Sequence, residues 1–195
     1  SHRATTGERV NCPSCQNDVL PPWRYCTRCG ASLHGGGASE SEARHVTVVV
    51  SDLQGSTALA ERLDPESLRY VLDQYFDELG SILESHGGRI EKRIGDAMVT
   101  VFGLPTARHD DALRAVQAVA ECQATLAGLN DRLERTWGVR LTNRTGVSTG
   151  PIVFAEAGGG HRVLAGSALE LASRLEPVAP PLEALLSEST VLEVG

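Results

Sequence analysis

The chain has 195 residues, of which 41% are hydrophobic and 22% are charged, so its composition predicts a packed core. The formal net charge of -7 argues against a nucleic acid or an anionic membrane as a partner bound through bulk charge. No apolar stretch is long enough to span a bilayer and no signal peptide is recognisable, so we expect a cytoplasmic protein. The length fits one ordinary domain and a small additional module.

Two Cys-x-x-Cys pairs near the start of the chain predict a zinc site. They consist of Cys12 with Cys15, and Cys26 with Cys29. Four thiolates at this spacing can surround one Zn²⁺ tetrahedrally, and the ion supplies folding energy that so short a segment lacks. A redox function is the alternative, but two copies without a flanking βαβ pattern argue against it. We therefore predict a zinc ribbon over residues 1–33, in a reducing, cytoplasmic setting.

The segment that follows, residues 34–45, is rich in glycine, serine and glutamate. Such a composition is typical of a flexible linker. The remainder, residues 46–195, forms the main predicted domain.

Hydrophobic periodicity and turn residues predict an alternation of strands and helices in the main domain. Asp64 and Pro65 begin the longer of the first two helices, as N-cap and first helical residue. In chain order the predicted elements are a strand at 46–51, helices at 55–63 and 65–85, strands at 89–94 and 97–103, a helix at 109–135, strands at 140–148 and 150–155, a helix at 166–176 and a strand at 183–186.

The predicted helix at 109–135 has an apolar stripe that we expect to face the core. Its members are Leu113, Val116, Val119, Ala120, Leu126, Leu129 and Leu133. The order of elements predicts an α+β fold, with a ferredoxin-like, antiparallel-rich sheet that carries helices on one face.

Two aspartates are placed where strands end. Asp52 follows the apolar run 46–51 just before a predicted helix, and Asp96 lies in the turn of the predicted hairpin. This placement suits two divalent metal ions that hold a triphosphate. Alternatively, Asp52 is a helix cap and Asp96 a turn residue, since aspartate is common at both positions.

Six stretches of the main domain favour the metal interpretation. They are Val46–Thr57 (VTVVVSDLQGST), Asp64–Phe76, His86–Phe102 (HGGRIEKRIGDAMVTVF), Arg108–Ala118, Gly146–Gly150 and Gly166–Glu176 (GSALELASRLE). On these stretches, residues 46–195 resemble the catalytic domain of class III nucleotidyl cyclases, the adenylate and guanylate cyclases, of the bacterial type. We also expect that the family's last strands are missing after Gly195 and that further domains of a longer chain are partners.

The resemblance implies a homodimer with its active sites at the interface, and a reaction that converts ATP or GTP into a cyclic nucleotide and pyrophosphate. Asp52 and Asp96 would bind two Mg²⁺ or Mn²⁺ ions, and Lys92 would read the base edge. Arg174 would stabilise charge on the transferred phosphate from across the interface. The backbone amides at Gln54, Gly55, Ser56 and Thr57 would receive phosphate oxygens.

Two positions depart from the family pattern. Glu170 replaces an asparagine that positions the ribose, so its carboxylate would repel a polyphosphate and could instead pair with Arg174 one helical turn later. Val163 occupies the second base-reading position, and valine cannot hydrogen-bond a purine. The sequence therefore leaves two hypotheses, an adenylate cyclase of weak activity and a degenerate cyclase domain that senses nucleotide or dimerises within a larger signalling protein. A zinc-dependent interaction or nucleic-acid module is a third, which the acidic net charge weakens.

Overall fold

A computed structural model of the chain describes residues 10–12, 17–19, 43–157 and 161–195, with only the backbone described at 10, 19, 94, 154–157 and 161–163. The chain divides into two compact units, Ser1–Ser41 and Glu42–Gly195. In the first unit, strands β1 (Val10–Asn11) and β2 (Asp18–Val19) pair antiparallel. Among the described residues, no helix is both long enough and apolar enough to cross a membrane.

The second unit is built on a six-stranded sheet. Its elements are β3 (Ala43–Gln54), α1 (Ser56–Arg62), α2 (Pro65–Ser85), β4 (Arg89–Ile94), β5 (Ala97–Phe102), α3 (Asp111–Trp137), β6 (Thr142–Ala157), β7 (His161–Ala165), α4 (Ser167–Leu175), a 3₁₀ turn (Glu176–Val178), β8 (Ala184–Leu186) and α5 (Glu188–Val194). The strand order is β4-β5-β3-β6-β7, and β8 pairs with β6 in parallel. Strands β4, β5, β3 and β6 lie side by side and pair antiparallel, in the order of a ferredoxin-like sheet. This part of the prediction is confirmed.

The two faces of the sheet carry separate cores. Alternate residues of β3 point to opposite faces, so Val49 joins the core under α2 and α3 whereas Val48 joins a second core with α4. In the second core Ala168 and Ala172 of α4 pack on β3 and β6. The expectation of helices on one face was therefore wrong, because the small residues of α4 let a further helix cover the other face.

Strand β6 corrects another prediction. Residues 140–148 and 150–155 were expected to form two strands, but residues 142–157 form a single one. Gly150 and Pro151 resemble a turn in the sequence. They fit within a strand because β6 has no described strand partner between Val147 and Val153 on the side away from β3, so a missing ladder donor is tolerated there.

The buried stripe of α3 is confirmed at Val119, Leu126, Leu129 and Leu133 but not at its N-terminal end. There Leu113 is 38% exposed and Ala120 is exposed, whereas Ala112 and Ala115 are buried. The small residues allow α3 to approach α2 and the sheet closely, and the periodicity of large side chains does not reveal them. Strand β7 and helix α5 were not predicted at all.

Candidate functional site

Asp52 lies within β3 near its C-terminal end, not at a helix cap. The N-cap of α1 is Gly55, so the alternative interpretation of Asp52 is wrong. Asp52 is opposite Ala97 of β5 and opposite Arg144 of β6. Directly opposed residues of antiparallel strands share a face, so the Asp52 carboxylate and the Arg144 guanidinium lie on the α4 side of the sheet.

Asp96 occupies the turn between β4 and β5, beside the end of β3. Its backbone oxygen accepts a hydrogen bond from the Leu53 amide at 3.1 Å. Its Oδ2 atom accepts a hydrogen bond from the Ser56 hydroxyl at 2.6 Å, which links the hairpin to the start of α1. Asp96 is thus held next to Asp52 by main-chain and side-chain contacts.

The two carboxylates repel each other in a partly desolvated place. Burial, then the charges of Asp96 and Glu176, raise the pKa of Asp52 from 3.8 to about 6, against the opposing effect of Arg144. Burial also raises the pKa of Glu176. Such a concentration of carboxylate charge favours a bound cation.

Arg144 and Glu176 are site residues that the sequence analysis missed. Arg144 is half-buried and its Nη1 atom donates to the Pro177 carbonyl at 2.9 Å. Glu176 follows α4 directly, so in the sequence it resembles a helix terminus before a proline. The available signal was a cation within a predicted strand, but what Arg144 can do depends on its pairing register with Asp52.

The predicted phosphate-binding segment spans the junction of β3 and α1. Gln54 ends β3, and Gly55 has a positive φ of 73° that turns the chain into α1. No side chain caps the first turn of α1, which leaves amide groups near Asp96 without an intrahelical acceptor. Ser56 is instead committed to Asp96, and Thr57 is exposed.

Lys92 lies on the same face of the sheet as Asp52. The ladder between β4 and β5 shifts between Ile90 and Lys92, which places Lys92 opposite Val99. Val99 is in turn opposite Val50, two residues before Asp52 on β3. This bulge therefore sets which face the exposed Lys92 side chain takes.

The other predicted partner-side residues lie on β7 and α4. The backbone of Val163 pairs with Ala155. Glu170 and Arg174 are exposed on α4, and no ion pair joins these two described side chains, so the suggested pairing between them was wrong. Within the described part of one chain, no hydrogen bond or ion pair connects Lys92, Glu170 or Arg174 to the aspartates.

The predicted zinc ligands can be placed only in part. Cys12 is buried directly after β1, and its amide donates to the Asn17 carbonyl at 2.9 Å, so it stands at the turn of a hairpin. Cys15, Cys26 and Cys29 lie outside the described residues. Within the described ranges, no three His, Cys, Asp or Glu side chains are grouped as a complete metal site.

Comparison with known proteins identifies the family. The model of the adenylate and guanylate cyclase catalytic domain matches residues 39–194. The chain belongs to this family. The cyclase family match thus covers the whole of the second unit apart from its last residue.

Solved structures agree with this assignment. The guanylyl cyclase Cya2 is 31% identical, with a TM-score of 0.74 over 80% of this chain and 80% of that chain. The adenylyl cyclase CyaB from P. aeruginosa is 30% identical, with a TM-score of 0.74 over 78% of this chain and 81% of that one. Both structures therefore share the fold of most of this chain.

A curated relative is much longer than this chain. Adenylate cyclase 1 of Rhizobium meliloti is 26% identical over 148 residues, which cover 74% of this chain but 22% of that protein. The chain therefore spans only a minor part of this relative's length.

Proposed function

We propose that residues 42–195 form a nucleotidyl cyclase domain that converts ATP, or alternatively GTP, into the cyclic nucleotide and pyrophosphate. The observation that carries this proposal is the convergence of Asp52 and Asp96 opposite Arg144 at one end of the sheet. Relatives named as adenylate cyclases and as guanylyl cyclases both match, so the purine is left to experiment.

The chemistry of the carboxylate cluster fits two Mg²⁺ or Mn²⁺ ions. Mg²⁺ is usually held by one or two carboxylates together with substrate phosphates and water, so Asp52 and Asp96 need no third protein ligand. The raised pKa of Asp52 means that its ionised form lacks sufficient compensating positive charge. When bound, divalent ions would neutralise the triphosphate and lower the pKa of the ribose 3′-hydroxyl.

Arg144 supplies a cation on the same side of the site. A guanidinium presents up to five N–H donors in a plane, an arrangement that suits phosphate oxygens. The Nη1 atom of Arg144 donates one hydrogen bond to the Pro177 carbonyl, and its Nε is buried with no hydrogen bond to the described residues. We assign Arg144 to the triphosphate, together with the uncapped amides at residues 54–57.

The remaining residues are proposed to act across a homodimer interface. Lys92 and Arg174 are exposed, and in the described part of the chain neither forms a hydrogen bond or an ion pair with Asp52 or Asp96. In a two-fold dimer, each chain would supply its aspartates to one site and its Lys92 and Arg174 to the other. Lys92 would read the base and Arg174 would stabilise the charge that develops on the transferred phosphate.

The deciding experiment is an assay of cyclic nucleotide formation from ATP and from GTP, with Mn²⁺ and with Mg²⁺, over a range of protein concentrations. We expect metal-dependent product and a specific activity that rises with protein concentration. Asp96→Ala should abolish the product, whereas Asp131→Ala, an exposed aspartate of α3, should retain it. Unchanged turnover in Asp96→Ala would contradict the site assignment.

A second candidate function rests on Glu170. Its exposed carboxylate has no ion-pair partner in the described part of the chain, and it would face a polyphosphate in the partner's site. The domain could then bind nucleotide without turnover, as a sensing or dimerising module. Glu170→Asn should raise turnover at least about tenfold if repulsion limits the reaction. No gain, with nucleotide binding retained, would favour the sensing function.

We further propose that Cys12, Cys15, Cys26 and Cys29 hold one structural Zn²⁺ ion. The support is their spacing and the position of Cys12 at a hairpin turn. Its role would be to stabilise a small contact module.

A further inference from the structure

Arg144 is positioned by the turn that follows α4. Its Nη1 atom donates to the carbonyl oxygen of Pro177, the central residue of the 3₁₀ turn. The other N–H groups of its guanidinium have no hydrogen-bond partner among the described residues. The turn therefore orients the guanidinium through one donor, and the remaining donors are not committed to the described part of the chain.

The turn is itself fixed to strand β6 by direct backbone packing. Gly146 lies two residues after Arg144, and a Cβ atom there would be 2.1 Å from the Ala172 carbonyl oxygen and 2.7 Å from the Glu176 amide nitrogen. The end of α4 and the start of the turn thus rest on the strand without an intervening side chain. Displacement of one must displace the other.

The same turn follows directly on helix α4, which carries Arg174. Arg174 lies in the last turn of α4, two residues before Glu176. In the proposed dimer Arg144 acts in its own chain's site and Arg174 acts in the partner's site. We propose that the turn Glu176–Val178 is a positioning element for both active sites, through Pro177 for Arg144 and through α4 for Arg174. This inference rests on the proposed function.

The test uses mixed dimers that contain a single intact site. One chain carries Arg174→Ala and keeps its aspartates and Arg144; the other carries Asp52→Asn and keeps Arg174. Neither variant alone should be active, and the mixture should recover activity. Pro177→Gly, which loosens the turn but keeps the carbonyl, is then placed in one chain or the other, with Pro181→Gly as the matched control.

Pro177→Gly in the chain that supplies Arg144 should raise KM for the nucleotide about tenfold, because triphosphate contact is weakened. In the chain that supplies Arg174 it should lower kcat about tenfold with little change in KM. Pro181→Gly should do neither. Equal effects from both placements, or no effect from either, would overturn the proposal.

A binding measurement separates this proposal from the cyclase assignment. If the mixture without Pro177→Gly is inactive, the proposed function fails for this chain. Calorimetry with Mn²⁺ and inorganic tripolyphosphate then tests the turn independently of turnover. Weaker binding by Pro177→Gly than by Pro181→Gly supports the hold on Arg144, and equal binding by the two variants overturns it.

Discussion

Asp52 is a residue whose ionised form the metal-free fold disfavours. Burial and its acidic neighbours raise its pKa from 3.8 to about 6, so the folded chain binds a proton there more tightly than the unfolded chain does. The free energy of unfolding therefore contains a contribution that falls as the pH rises from about 4 to about 6 and stays low above that range. The proposed cation site is in this way a local cost to stability when no metal is bound.

Asp52→Asn should accordingly stabilise the metal-free protein at pH 7.5, by about 1 kcal/mol once solvent screening of a half-exposed group is considered. At pH 4 the variant and the unsubstituted protein should differ little. Thermal unfolding in a chelator at both pH values measures this, with exposed Asp77→Asn as the control. A destabilised Asp52→Asn at pH 7.5 would show that the carboxylate is not under repulsive strain.

Manganese should make the unsubstituted protein more stable than Asp52→Asn at pH 7.5, the reverse of their order in a chelator. Bound metal stabilises only the folded state, so it should raise the unfolding temperature of the unsubstituted protein and leave Asp52→Asn nearly unchanged. Equal responses of the two proteins would place the metal elsewhere.

At the scale of elements, a glycine of β6 and a glycine of α3 differ in the space that surrounds them. Gly146→Ala would push a Cβ into the backbone of α4 and should cost more than about 2 kcal/mol. Gly128→Ala, at an open position of α3, should instead add about 0.5–1 kcal/mol. Urea unfolding of both variants measures the difference, and a tolerated Gly146→Ala would contradict the close packing of strand and helix.

Local signals in the sequence were enough for several elements. The Asp64 side chain accepts hydrogen bonds from the amides of Glu66 and Ser67, as its N-cap position predicts. The hairpin about Asp96 follows likewise from adjacent residues. Other features depend on residues that are distant in the sequence. Pro151 stays within a strand because no described strand pairs with β6 at that point on the side away from β3. Arg144 enters the site because it lies opposite Asp52 in the ladder between β3 and β6.

At the scale of the molecule, we expect zinc binding in the first unit and the stability of the second unit to respond to different substitutions. Cys15→Ser should remove the proposed zinc ion and leave the unfolding of residues 42–195 unchanged, because these residues form their own compact unit. Cys122→Ser, in the core under α3, should keep the zinc and lower the unfolding temperature. Metal analysis and calorimetry check both. Zinc retained by Cys15→Ser would exclude the four-cysteine site.

Strand β6 has a consequence for the time scales of the site. It pairs with β3 on one side and with β8 and β7 on the other, so residues 145–147 lie between two ladders and are enclosed on both sides. Lys92, in contrast, belongs to β4 at the edge of the sheet. Hydrogen exchange should therefore be slowest beside Arg144 and much faster around Lys92. A catalytic centre assembled from two chains would then join a slowly exchanging triphosphate half to a base-reading half that rearranges far more often.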